Sequence, residues 1–190
     1  MVHILLAPGF EEMEALIPAD LLRRAGIPVA LTSLEGEQVT GGHGITVAAD
    51  MELAKVNLTQ VSMLVLPGGA HGVRNLSAHP AVSSIIQEAV DREIPVSAIC
   101  AAPTLLGSMG LLKGKKAVCY PGLEEQLTGA QVPEGARVVR DGLLTTGQAA
   151  GSAVEFGLAL IEQLAGENVF SVRLNGYFIL KFNCNRTVTA

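Results

Sequence analysis

One cysteine stands where a thiol could act as a nucleophile. The segment Pro95-Val96-Ser97-Ala98-Ile99-Cys100-Ala101-Ala102-Pro103-Thr104 reads as a buried strand handing over directly to a helix, with Cys100 at the junction. A reactive residue on such a turn needs small residues two positions to either side so that neighbouring backbone can approach, and Ala98 and Ala102 meet that demand. A helix starting just beyond the sulfur turns unpaired N–H groups, that of Ala101 among them, and the positive end of its dipole toward it. Both favour thiolate over thiol. A cysteine in an apolar segment is more often a small buried hydrophobe, so the nucleophilic reading depends on what the chain places beside it.

Two other segments supply neighbours. Leu66-Pro67-Gly68-Gly69-Ala70-His71-Gly72 is again a buried strand ending in a glycine-rich turn. Loops at the carboxyl ends of adjacent parallel strands converge on one crevice, so the Gly69 N–H can join that of Ala101 in binding an oxyanion opposite the sulfur. His71 lies in the same turn and is a candidate for contacting substrate. Ala7-Pro8-Gly9-Phe10-Glu11-Glu12-Met13-Glu14 carries the first strand into the first helix with three carboxylates in its opening turns. The helix dipole accounts for Glu11 and Glu12. Glu14 shares a face with Ile17 and Leu21 and is expected to point inward, where a partly buried carboxyl stays protonated, donates to sulfur and moves protons as general acid or base.

The elements that must position these residues follow from hydrophobic patterning. Runs rich in Val, Ile and Leu alternate with amphipathic segments, the signature of a mostly parallel sheet with helices on both faces. The expected strands are Val2–Ala7, Val29–Ser33, Met63–Leu66, Val96–Ile99, Lys116–Cys119, Arg137–Val139 and Leu143–Thr145. The expected helices are Glu11–Ala25, kinked at Pro18 and stopped by Gly26, then Ala81–Arg92, Pro103–Gly110 and Gly151–Leu164. Glu35–Val47, with four glycines, reads as a turn and a short hairpin excursion. One domain over residues 1–166 is expected, followed by a tail, residues 167–190, of different style that reads as strand.

Composition narrows the function class. With 49% hydrophobic and 16% charged residues the chain can bury a large core. A net charge of -5 offers no general attraction to phosphate backbones or anionic lipid, so nucleic acid is not an expected partner. No apolar stretch is long enough to span a bilayer, and no basic leader opens the chain, so the cytoplasm is the expected location. Three cysteines are too few and too odd in number for a disulfide framework. The histidines His3, His43, His71 and His79 have no spacing that suggests a metal site. No cofactor and no metal are expected.

Taken together, APGFEEMEA, LPGGAHG and AICAAPT, with IPADLLRRAGI and GSAVEFGLALIE, resemble the ThiJ/PfpI superfamily, in the branch of the parkinsonism-associated protein deglycase and its bacterial relatives. The resemblance runs from Val2 to about Gly166. It implies a flavodoxin-like three-layer α/β sandwich and a homodimer, with Cys100 as the motif cysteine, Glu14 as the sulfur-bonding glutamate, and Gly69 and Ala101 as backbone donors. The sequence also departs from the family. The protease-like branch has histidine directly after the nucleophile, where this chain has Ala101. The deglycase branch often brings a histidine from the next strand, where this chain reads Cys119-Tyr120-Pro121; the Tyr120 hydroxyl can orient a substrate but is no base near neutral pH. His43 stands where some relatives carry an arginine at the dimer contact.

The function these readings imply is a thiol enzyme of glyoxalase or deglycase type, acting without cofactor on small reactive aldehydes such as methylglyoxal or on glycated adducts. The competing expectation is an oxidative-stress sensor or chaperone using the same cysteine as a sulfinate. A glutamine amidotransferase, which shares the cysteine elbow, is set aside because no histidine follows His79.

Overall fold

The computed structural model describes residues 1–165 and 187–189. Its centre is β1 (Val2–Leu6), β6 (Met63–Leu66) and β7 (Val96–Ile99), in which every residue is buried. Strands buried on both faces cannot alternate polar with apolar, which is why these segments are almost continuously aliphatic. Alternation survives as a choice of face. Ile4, Leu6, Met63, Val65 and Ile99 pack against α1 (Glu12–Arg24) and α5 (Ala153–Ala165). Leu5, Leu64, Leu66, Val96 and Ala98 pack against α2 (Ala70–Ala78), α3 (Pro80–Asp91) and α4 (Pro103–Ser108).

The chain leaves β1 for β2 (Val29–Ser33), passes through a hairpin of β3 (Gln38–Thr40) and β4 (Thr46–Ala48), and pairs β5 (Met51–Glu52) with β2. It then returns to the other side of β1. Both β2 and β6 lie parallel to β1, so the strand order reverses there, and β7 extends the sheet from β6. In open parallel sheets the crevice at the carboxyl ends beside such a reversal is where ligands sit.

Beyond β7 the pattern departs from expectation. β8 (Val138–Asp141) and β9 (Leu144–Gly147) form an antiparallel hairpin whose loop contains Gly142 at φ 62°, and β9 pairs with β7. Both edges of β9 are therefore occupied, and Lys116–Cys119 joins no ladder among the described residues. Lys116 makes only an isolated bridge to Gln131, and the Val118 N–H donates to Thr146 Oγ1 at 3.0 Å. A second difference is α2, which the sequence presents as a glycine-rich turn. Gly72 sits inside it because a Cβ there would fall 2.7 Å from the Phe10 Cα. α1 continues through Pro18 as one element, and the chain turns at Gly26 with φ 76°. The expected hairpin within Glu35–Val47 is present and extends to Ala48. Of the tail, Thr187–Thr189 forms β10, parallel to β8; the expectations for residues 167–186 and 190 lie outside the described residues.

Candidate active site

Glu14, Gly69, Cys100 and Ala101 converge at the carboxyl ends of β1, β6 and β7. Cys100 occupies the step from β7 to α4 with φ 65°, a left-handed conformation that L side chains rarely adopt. The surroundings hold it there. Its N–H donates to the Gly147 carbonyl at 3.0 Å, and its carbonyl accepts from the Tyr120 N–H at 2.7 Å. Ala98 and Ala102 are fully buried to either side, as the elbow requires. The sulfur is half-buried, and the N–H groups of Gly69 and Ala101 both donate toward it.

Glu14 is fully buried in the first turn of α1, and its Oε2 accepts the Gly68 N–H at 2.8 Å. Its Oε1 has no nitrogen or oxygen partner among the described residues, and the carboxyl lies against the Cys100 thiol closely enough for each group to shift the other's titration. Gly68 makes this approach possible. Gly69, at φ 88°, has no room for a side chain either, since a Cβ would lie 2.5 Å from the Gly9 carbonyl oxygen.

Burial raises the Glu14 pKa to about 7, against the opposing effect of its hydrogen bonds with Cys100 and the Gly68 N–H. The Cys100 thiol is pushed up to about 12, first by burial and then by the charge and hydrogen bond of Glu14, which outweigh the donors of Gly69 and Ala101. This reverses the expectation of a lowered thiol. The six-residue α4 offers little dipole, and the adjacent carboxylate and low dielectric dominate. Through neutral pH the pair passes from two protons to one, the carboxyl releasing its own at about 7 while the sulfur keeps its own.

The remaining candidates are placed differently. His71 is exposed on α2, where its Nδ1 accepts from the Arg74 guanidinium at 2.8 Å. The Tyr120 side chain is exposed while its backbone anchors the elbow. Cys119 is buried and its pKa is raised to about 11 by burial, in keeping with packing; Cys184 lies outside the described residues.

Glu12 has a role that the dipole reading missed. It is buried, its Oε1 accepts the His43 N–H at 2.7 Å, and its Oε2 meets the His43 ring Nδ1 at 2.8 Å, so it ties the β3–β4 loop to α1. The sequence signal for this was Gly41, where a Cβ would fall 2.4 Å from the Glu12 carboxyl. A cavity of ≈ 780 Å³, lined by Leu53, Leu58, His79, Ile85 and Arg92 among others, touches none of the residues around Cys100.

A flavodoxin-like sandwich with a strained cysteine elbow facing a buried glutamate defines a class of proteins. The model of the DJ-1/PfpI family matches residues 1–163, and the chain belongs to that family. It is 38% identical to the DJ-1beta protein of Drosophila melanogaster over 166 residues, 86% of this chain and 89% of that one. The crystal structure of Drosophila DJ-1beta superposes with a TM-score of 0.87 at 36% identity, covering 92% of this chain and 95% of the other. The Parkinson disease protein 7 homolog of Danio rerio is 34% identical over 182 residues, 94% and 96% of the two chains. A Pyrococcus horikoshii protein named as a deglycase is 37% identical over 142 residues, 74% of this chain and 85% of that one. No helix among the described residues is long and apolar enough to cross a membrane.

Proposed function

We propose that the chain is a cysteine-dependent, cofactor-independent enzyme of glyoxalase or deglycase type acting on reactive carbonyls such as methylglyoxal or glycated adducts. The observation that carries this reading is the Glu14 carboxyl, poised at about 7 by burial and set against the Cys100 thiol. A base of that strength at neutral pH takes the thiol proton as sulfur attacks, so no standing thiolate is needed. The Cys100 Sγ bonds to the aldehyde carbon of methylglyoxal, and the carbonyl oxygen becomes an oxyanion facing the N–H groups of Gly69 and Ala101. Glu14 passes the thiol proton on to that oxygen, which gives the hemithioacetal and restores the carboxylate. Glu14 then removes the proton from the former aldehyde carbon, giving an enediolate, and returns it to the adjacent carbon, while the hydroxyl proton on the first carbon passes to the oxygen of the second. The product is a lactyl thioester, which water cleaves to lactate and the free thiol. No net oxidation occurs. Tyr120, beside the elbow, orients the substrate through its hydroxyl; His71 is assigned the same role on the rim.

Lactate formation from methylglyoxal tests this reading. Activity in the wild type and its loss in folded Cys100→Ala support it; equal turnover in the two proteins removes it. The working unit in this reading is a cytoplasmic homodimer, which sedimentation analysis checks.

A second reading, a redox sensor, is favoured by the two backbone donors around a half-buried sulfur, which match the oxygens of a sulfinate. Graded peroxide with intact-mass detection separates the two. Site-selective addition of two oxygens at Cys100 without carbonyl turnover selects the sensor.

A further inference from the structure

We propose that Glu11, Glu12 and His43 form a binding site for one divalent first-row transition-metal ion of the zinc class, which adjoins the Cys100 crevice but takes no ligand from it. Three side chains from two elements meet here. Glu11 and Glu12 open α1, His43 comes from the β3–β4 loop, and one ligand atom from each lies within 4.8 Å of the other two. The His43 Nδ1 stands 2.8 Å from Glu12 Oε2 and 3.5 Å from Glu11 Oε2. Zinc bonds nitrogen and carboxylate oxygen at about 2.0–2.2 Å, which sets neighbouring ligands about 3.0–3.4 Å apart in octahedral to tetrahedral geometry. The two observed spacings bracket that range. His43, whose side chain is 68% exposed, has the freedom to close the difference.

The chemistry of the donors selects the ion. One imidazole with two carboxylates is a borderline set, suited to zinc, manganese or iron(II) rather than to the all-oxygen coordination of calcium and magnesium or the soft ligands of copper(I). Charge points the same way. Among the described residues the two carboxylates share one imidazole as ion-pair partner, so with that imidazole neutral the cluster carries two negative charges and a divalent ion balances them. Glu12 is also pre-aimed. Its Oε1 is held by the backbone N–H groups of His43 and Ile45, which leaves Oε2 to face the ring, as the outer shell of a metal site does. On binding, the ion replaces the proton between Nδ1 and Oε2, and water completes its coordination.

The test is titration of zinc into the full-length, chelator-treated protein, followed by calorimetry, with cobalt(II) absorption as a report on ligand type. One ion per chain is expected in the wild type and in Cys100→Ser, with a cobalt spectrum free of thiolate charge transfer. His43→Ala and Glu11→Gln, neither of which disturbs the core, should each weaken affinity at least tenfold. Absence of stoichiometric binding in the wild type, unchanged affinity in His43→Ala, or loss of binding in Cys100→Ser would overturn the proposal.

Discussion

Glu14 and Cys100 share one wall, the Cα of Gly68: a Cβ built there would lie 2.5 Å from Glu14 Oε2 and 3.0 Å from Cys100 Sγ. Sequence places the two far apart, and the strand order brings them together, because β6 with its Pro67-Gly68-Gly69 turn runs between β1 and β7. Two groups that both resist ionising in a dry pocket titrate as a coupled pair in two steps, and the proposed chemistry uses the state between them, carboxylate beside thiol.

Alkylation of Cys100 should therefore follow Glu14. In the wild type the rate rises as pH passes about 7, where Glu14 becomes able to accept the thiol proton. Glu14→Gln keeps the shape but removes the base, so its rate should lack that inflection and rise only toward the alkaline titration of the buried thiol. At neutral pH the variant should react at least about tenfold more slowly, the low end of what a positioned base contributes. Iodoacetamide labelling read by intact mass across pH 5 to 10 decides it; an unchanged inflection in the variant would falsify the assignment.

Stability should show the opposite face of the same carboxyl. Its folded pKa, about 7, stands above the ordinary 4.5, so its contribution is complete below about pH 4.5 and is lost as pH rises through 7. A shift of that size corresponds to about 3 kcal/mol at most. Glu14→Gln should match the wild type near pH 4 and exceed it at pH 8 by up to about that amount. Urea midpoints of the two proteins at both pH values measure the difference, and other titrating groups cancel between them.

Much of this could be read from residue types. Cys100, Ala101 and Gly69 sit in turns directly after aliphatic strands, and Glu14 in the first turn of the helix that follows β1, where local pattern dictates direction, and they meet as that pattern implies. What could not be read depends on packing between distant segments. The role of Glu12 becomes visible only once the β3–β4 hairpin folds back over α1 and brings His43 and Ile45 to its carboxyl. The aliphatic run at Lys116–Cys119 has the composition of a strand, but its place in the sheet is filled by the β8–β9 hairpin. The direction of the Cys100 shift was likewise out of reach, since it turns on how deeply sulfur and carboxyl are buried together.

Gly68→Ala isolates the geometry of the pair. The added methyl meets the Glu14 carboxyl and the Cys100 Cβ at 2.5 and 2.6 Å; Glu14 is fully buried and the Cys100 backbone is held by hydrogen bonds on both sides, so neither moves freely. Overpacking of this kind costs about 1–3 kcal/mol. Carbonyl turnover should fall much further than stability, because the carboxyl must leave the sulfur. A folded Gly68→Ala protein with wild-type turnover would show that contact between Glu14 and Cys100 is dispensable.

Glu12 anchors the adjoining loop, and its removal should act on the loop first. Glu12→Ala leaves the His43 N–H without its partner and opens space beside Gly41, a loss of about 1–3 kcal/mol for a buried, charge-assisted contact. The hydrogen bonds with His43 hold the Glu12 pKa below its ordinary value despite burial, so this contribution is present above about pH 4.5 and disappears as the solution is acidified through the lowered folded pKa. Hydrogen exchange should accordingly quicken at Gly41–Ile45 in Glu12→Ala at pH 7, with β7 and the Cys100 turn little changed. Equal protection of that loop in the two proteins would mean that the Gly41 N–H to Ile45 carbonyl and Gly42 N–H to Phe10 carbonyl bonds, at 2.9 and 2.8 Å, suffice to hold it.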